Sequence, residues 1–250
     1  MQDKIEKRIK KDAKKLAKFK DKYKGQRCFI IGNGPSLRME DLDKLHEKKE
    51  VCFGSHRIYL AFSKTKWRPC FYTIQDTKIM NEYFHETEKL KIKHKFAAYP
   101  FKVRQNYRIY KSFLATHMIL TPFFPYCPDF SKDLTMGVYE GWTVSYFNIQ
   151  LAAYMGFKQI YLIGVDHHYS KVKSSTGSII VNDVSDSFTD EYVKANENRN
   201  LPEIEKSILG YIKAEIFSHY HGFRIYNATR GGKLEVFERI NFDNLFMKSE

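Results

Sequence analysis

Residues 28–37 read Cys-Phe-Ile-Ile-Gly-Asn-Gly-Pro-Ser-Leu, an apolar run that breaks into a glycine turn and then into helix-starting residues. Phe29 to Ile31 have the length and unbroken apolarity of a strand buried on both faces. Gly32 and Gly34 permit close approach to the backbone, Asn33 offers an amide between them, and Pro35 and Ser36 suit a helix start with Ser36 as the cap. A strand, a glycine turn and a helix N-terminus make an anion site, because unpaired N–H groups and the helix dipole point at the same spot. A tight turn that binds nothing has the same pattern. The spacing is not Gly-x-Gly-x-x-Gly, since Leu37 holds the last position, and the Gly-Lys-Ser/Thr of a P-loop is missing.

Downstream, helical and strand patterns alternate. Helices are predicted over 36–47, 77–90, 143–155 and 201–220, and strands over 51–54, 70–74, 94–98, 159–164 and 223–226. Residues 99–135, with Pro100, Pro122, Pro125 and Pro128, read as an irregular lid, and the polar stretch 170–200 as a mobile loop. Alternation of this kind implies a Rossmann-like α/β fold, a mainly parallel sheet with helices on both faces. In such sheets the ligand lies beyond the carboxyl ends of the strands. Those ends carry Asn33, Ser55, His56, Arg57, Gln75, Asp76, Asp166, His167 and His168.

At 250 residues, with 17 Tyr and 20 Phe, the chain has material for one large core. No apolar run approaches the roughly 20 residues of a membrane span, and no signal-peptide core is apparent, so a cytoplasmic protein is expected. Cys28, Cys52, Cys70 and Cys127 match no zinc spacing and read as reduced core thiols. The net charge of +13 is concentrated at the start, where residues 1–27 hold 12 Lys/Arg against 4 Asp/Glu. There Ile5, Ile9, Leu16 and Phe19 form a narrow apolar stripe on a basic helix. Residues 1–24 are therefore set apart as a basic amphipathic helix preceding a domain at 25–250. The stripe is expected to dock on that domain, with a weak attraction to an anionic membrane surface. Nucleic acid is not expected, since no binding motif accompanies the charge.

Asp166, His167 and His168 follow an apolar strand, where an imidazole can act as general acid, general base or metal ligand. On an extended segment adjacent histidines point opposite ways, which puts His168 on the side of Asp166. Asp166 and one histidine are too few for a metal site. Arg230, Gly231, Gly232 and Lys233 form either an anion-holding turn or a basic hairpin turn.

Three stretches together carry a resemblance. Gly32-Asn33-Gly34-Pro35-Ser36-Leu37, the run Gly-Phe-Lys-Gln-Ile-Tyr-Leu-Ile-Gly-Val-Asp at 156–166, and Asn-Ala-Thr-Arg-Gly-Gly-Lys-Leu-Glu-Val-Phe at 227–237 resemble the MptE-like domain family. That family includes archaeal 6-hydroxymethylpterin diphosphokinases and motility-associated-factor proteins implicated in adding nonulosonic acids to flagellin. The first two stretches also resemble bacterial sialyltransferases of glycosyltransferase family 42, which use CMP-sialic acid without a metal. The resemblance implies a transferase moving a sugar, of the nonulosonic or sialic acid type, from a CMP-linked donor to a glycan or lipid-linked acceptor at the inner face of the membrane. It implies a nucleotide site at Gly32, Asn33, Gly34, Pro35, Ser36, His56, Gln75, Asp76, Thr143, Val144, Ser145, Gly164 and Asp166. The catalytic group is sought at His168, His167 or Asp166. The sialyltransferases' catalytic histidine aligns near Ala195, and this chain has no histidine between Tyr169 and Ile216, where Glu197 is the next candidate. His168 aligns with their phosphate-binding tyrosine. No cofactor is expected for sugar transfer. The alternatives are a pterin diphosphokinase, which needs ATP and Mg²⁺ with Asp76 and Asp166 to hold the ion, and a non-catalytic interaction protein. A homo-oligomer is left open.

Overall fold

The computed structural model describes residues 1–101, 108–120, 128–174, 176–192 and 200–247. Ala195, Glu197, Cys127, Pro122 and Pro125 lie outside them. Among the described residues one sheet has nine strands. These are β1 (Arg27–Ile31), β2 (Cys52–Ser55), β3 (Phe71–Ile74), β4 (His94–Pro100), β5 (Leu114–Ile119), β6 (Val138–Tyr139), β7 (Gln159–Ile163), and, beyond a separate hairpin of β8 (Lys171–Lys173) and β9 (Ile179–Val181), β10 (Arg224–Asn227) and β11 (Glu238–Arg239). Their order is β11-β10-β7-β1-β2-β3-β4-β5-β6, and every neighbouring pair is parallel. The fold is the expected Rossmann-like α/β sheet.

Strand periodicity explains the two layers. Successive side chains point to opposite faces. Cys28, Ile30, Phe53, Phe71, Phe96, Ile160 and Leu162 feed one core, which they share with helices α5 (Val144–Tyr154) and α6 (Ile204–His221). The alternate residues Phe29, Ile31, Cys52, Tyr72, Ala97, Tyr161 and Ile163 feed the other, with α2 (Met39–Glu47) and Met80 of α3 (Thr77–Glu82). The helical stretch expected over 77–90 breaks at Tyr83 into α3 and α4 (Phe84–Lys89).

Two regions are more regular than the sequence suggested. The stretch 99–135 contains β5, paired over five positions with β4 and buried at Ala115 and Thr116. Its alternation is masked because polar Thr116 and His117 are held by Leu134 O and Glu6. The stretch 170–200 contains the β8–β9 hairpin, and it is tied down where Phe188 N donates to Asn33 O at 3.1 Å. Cys28 and Cys52 are buried thiols, whereas Cys70 is exposed, one residue before β3 begins.

Residues 1–24, set apart in the sequence reading, complete an edge of this sheet. β6 pairs only the end of β5, and α1 (Gln2–Ala17) covers the rest. Asp12 Oδ2 accepts from Ala115 N at 3.2 Å, and Arg8 donates to Phe113 O at 2.7 Å while holding Asp12 at 2.6 Å. These side chains satisfy backbone groups that an open edge strand leaves unpaired. Ile5 and Ile9 enter one core and Leu16 and Phe19 the other. The expected docking of the stripe is therefore internal. No helix among the described residues is long and apolar enough to cross a membrane.

Asp12→Ala is expected to lower stability by about 1–3 kcal/mol, since it leaves the buried Ala115 N–H unpaired. Deleting residues 1–19 removes four buried apolar side chains worth about 1.5–3 kcal/mol each, a loss on the scale of a whole domain's stability. Urea unfolding followed by circular dichroism checks both; a truncated chain unfolding at the full-length midpoint contradicts this role.

Candidate functional site

The chain lays down β1 to β6 in one direction, then returns to the other side of β1 with β7. The crevice of an open α/β sheet opens at such a reversal. Here the β1 turn meets the β7 turn. Gly32 N donates to Ile163 O at 2.8 Å and Gly34 N to Gly164 O at 2.9 Å. A Cβ on Gly32 would stand 2.2 Å from Gly164 O, and one on Gly34 only 1.9 Å from Asp166 Oδ2. Both glycines are therefore required by the approach of the neighbouring turn, itself bent by Gly164 at φ +64°.

The glycine turn already holds an anion. Ser36 Oγ donates to Asp166 Oδ2 at 2.8 Å, and Ser36 N approaches the same oxygen at 3.4 Å. The expected helix start at Ser36 is corrected accordingly: α2 begins at Met39, and Arg38 is its N-cap. Burial raises the Asp166 carboxyl above its ordinary pKa, while the Ser36 bonds and the nearby His168 oppose that rise. Pro35 and Ser36 thus lie behind Asp166, off the surface of the crevice.

The crevice encloses about 520 Å³ beyond the carboxyl ends of the strands. It brings together Gly32, Asn33, Gly34, His56, Gln75, Asp76, Thr143, Val144, Ser145, Gly164, Asp166, His167 and His168. Three buried polar atoms on its wall have no hydrogen-bond partner among the described residues: Asn33 Oδ1, Gln75 Oε1 and His56 Nε2. The amide nitrogens are occupied, Asn33 Nδ2 on Ser55 O at 3.3 Å and Gln75 Nε2 on Glu140 O at 3.4 Å. Both amide oxygens are therefore the unpaired atoms of their side chains. Buried polar groups are ordinarily paired, and leaving one unpaired costs about 1–3 kcal/mol. Three such groups among the residues lining one crevice leave hydrogen-bonding capacity unused at this end of the sheet.

The remaining groups have distinct tasks. Thr143 caps α5, accepting from Ser145 N at 3.3 Å, so the helix begins at the crevice. Asp76 caps α3 through Lys78 N and Ile79 N and accepts from Asn200 at 2.9 Å. His56 and His167 have left-handed φ of 51° and 52°. The segment after β7 is therefore not extended, and simple alternation does not apply to the two adjacent histidines. His167 turns to Ser207 of α6 at 2.9 Å, and burial pushes its pKa down to about 4. His56 is also pushed down to about 4 by burial, with Asp76 opposing. His168 is half-buried on the wall. Arg230 is not an anion holder: its guanidinium grips Asp41 with two bonds of 2.8 Å and reaches Asp243.

Sequence reasoning missed wall residues away from the strand ends of the main sheet, among them Glu82, Glu140, Trp142, Lys173, Asp186 and Tyr192. The Glu140-Gly-Trp stretch just before the α5 cap was the one available signal. With these, the crevice has more carboxylates than Asp76 and Asp166 alone, but among the described residues no three metal-ligating side chains converge. Asp186 is engaged by Ser170 and Glu203 by Lys206. The residues therefore do not form a ready Mg²⁺ site.

A family model described as "6-hydroxymethylpterin diphosphokinase MptE-like" matches residues 4–172. No curated protein matches. A solved structure described as a MAf glycosyltransferase from Magnetospirillum magneticum AMB-1 is 14% identical with a TM-score of 0.48, over 96% of this chain. The chain spans 39% of the length of that structure.

Gly34→Ala is expected to destabilise by about 1–3 kcal/mol through overpacking. Asp166→Ala in the same chain should recover part of that loss, because it removes the nearest clash; simple additivity in the double-mutant cycle would contradict the contact. Two histidines with folded-state pKa below the ordinary value of about 6.5 give a defined pH dependence. Below pH 6.5 the unfolded chain takes up protons the folded one refuses, so stability present above 6.5 is lost as pH falls towards 4. His167→Gln should flatten the dependence of the urea midpoint between pH 7 and 5; an unchanged slope would contradict burial of a neutral imidazole.

Proposed function

We propose that this chain, which belongs to the 6-hydroxymethylpterin diphosphokinase MptE-like family, is a transferase that moves a sugar from a nucleotide-linked donor onto a glycan or lipid-linked acceptor. The reading rests on one observation above the others, the three unpartnered polar atoms of Asn33, Gln75 and His56 on the wall of the switch-point crevice. A nucleotide sugar is rich in the hydroxyl and amino donors that two buried amide oxygens require. Asn33 Oδ1 is assigned to a ribose hydroxyl or to the base's exocyclic amine, and the start of α5 at Thr143, Val144 and Ser145 to the donor phosphate. A CMP-linked donor of the nonulosonic type is the specific choice.

In direct inverting transfer a base removes the acceptor hydroxyl proton while the departing phosphate is stabilised. Of the three crevice histidines, His56 and His167 are held neutral and weakly basic by burial, and His167 is also engaged by Ser207. His168, half-buried on the crevice wall, is therefore assigned the proton. Asp166 itself holds the β1 turn and does not move a proton.

A second reading, pyrophosphoryl transfer from ATP to a hydroxymethylpterin, is favoured by the crevice carboxylates Asp76, Glu82, Glu140 and Asp186. Mg²⁺ would then arrive on the ATP phosphates and take one or two of these side chains, its usual mode of binding.

A thermal-shift panel separates the readings. CMP is expected to raise the midpoint without added metal, by about 2.7 kcal/mol of stabilisation at 100 times its Kd, and Asn33→Ala to weaken binding by about 1–3 kcal/mol. His168→Ala should lower turnover by 10²- to 10⁴-fold at nearly constant donor affinity. Stabilisation by ATP with Mg²⁺ alone would select the diphosphokinase, and full activity of the His168 variant would place the base outside the crevice histidines.

A further inference from the structure

A second concavity lies at the opposite end of the sheet, where β4 and β5 begin. It encloses about 310 Å³ and is lined by Lys15, Lys18, Lys22, Lys93, His94 and the aromatic ring of Phe19, among others. The lysines come from two separate parts of the chain, the end of α1 with its following turn and the entry to β4. Among the described residues no carboxylate lines the groove. Lys15 has Asp12 Oδ1 at 3.8 Å, but that aspartate is already held by Arg8. Lys18, Lys22 and Lys93 have no ion-pair partner among the described residues.

Structure alone accounts for part of this. Cations near the end of α1 suit the negative pole of the helix dipole, which explains Lys15 and Lys18. It does not explain Lys22, which leans over the rings of Phe19 and Tyr23 at 5.2 and 5.9 Å, or Lys93, which enters from another element. Both are close enough to His94 to add to the burial that lowers its pKa. Like charges gathered around one concavity repel, and a bound anion relieves that repulsion.

We infer that this groove is a binding site for a phosphate-bearing ligand carrying two or more negative charges, either a free polyphosphate-type anion or the headgroup of an anionic lipid. The site is independent of the crevice, which lies a full strand length away, on the order of 20 Å. A membrane engaged here would face the amino ends of the strands and leave the crevice mouth turned towards solution.

Calorimetric titration with inorganic pyrophosphate tests the first source. Co-sedimentation with phosphatidylcholine vesicles containing or lacking phosphatidylglycerol tests the second. The groove variant is Lys22→Glu with Lys93→Glu, and the control is Lys48→Glu with Lys132→Glu, which makes the same charge change at exposed positions elsewhere. The groove variant is expected to lose at least tenfold in affinity for one probe, with the control near wild type and the CMP thermal shift unchanged in both. Loss for pyrophosphate identifies a soluble ligand, and loss for anionic vesicles alone identifies a headgroup. Equal weakening by groove and control variants, or no binding of either probe to the wild type, overturns the site.

Discussion

The structure depends on how closely two turns approach each other at the middle of the sheet. β1 and β7 are paired over five positions, and their turns then come so near that neither Gly32 nor Gly34 has room for a Cβ. Asp166 is the pivot of this contact. Ser36 donates to its carboxylate, Lys233 N donates to its carbonyl at 2.7 Å, and a Cβ on Gly232 would lie 2.6 Å from that carbonyl. The three sequence stretches at 32–37, 156–166 and 227–237 thus meet at one residue. Their residue types are explained by packing before any ligand is considered. A carboxylate in the glycine turn also fills the place where a phosphate sits in many related turns.

Much of the fold was legible because buried parallel strands read as short apolar runs between turn residues. Phe29 to Ile31 and the run from Gln159 to Ile163 are of this kind, and their carboxyl ends define the crevice. β5 was not legible, because two of its polar side chains are satisfied by partners remote in sequence, Leu134 and Glu6. The covering role of α1 was hidden for a related reason. Its stripe is narrow and its surroundings strongly basic, and nothing local shows that Asp12, buried within a lysine-rich helix, completes an edge strand.

The site was legible to the same extent. Residues at strand ends were found because the topology dictates them. Those on connections, such as Trp142 and Tyr192, were not, since a loop's course depends on tertiary contacts. The orientation of the adjacent histidines also escaped, because a left-handed φ at His167 breaks the alternation on which the expectation relied. The resulting crevice carries unpartnered acceptors and neutral imidazoles, and the opposite end of the sheet carries a group of lysines. Charge and hydrogen-bonding capacity are thus segregated along the strand direction.

Amide chemical-shift mapping with CMP on the full chain tests most directly whether the switch-point crevice is a nucleotide site. Perturbations are expected at Asn33, Gly34, Gln75, Val144 and His168, with the groove around Lys18 and Lys22 silent. Shifts confined to the groove, or none at saturating CMP, would contradict a nucleotide site at the meeting of β1 and β7.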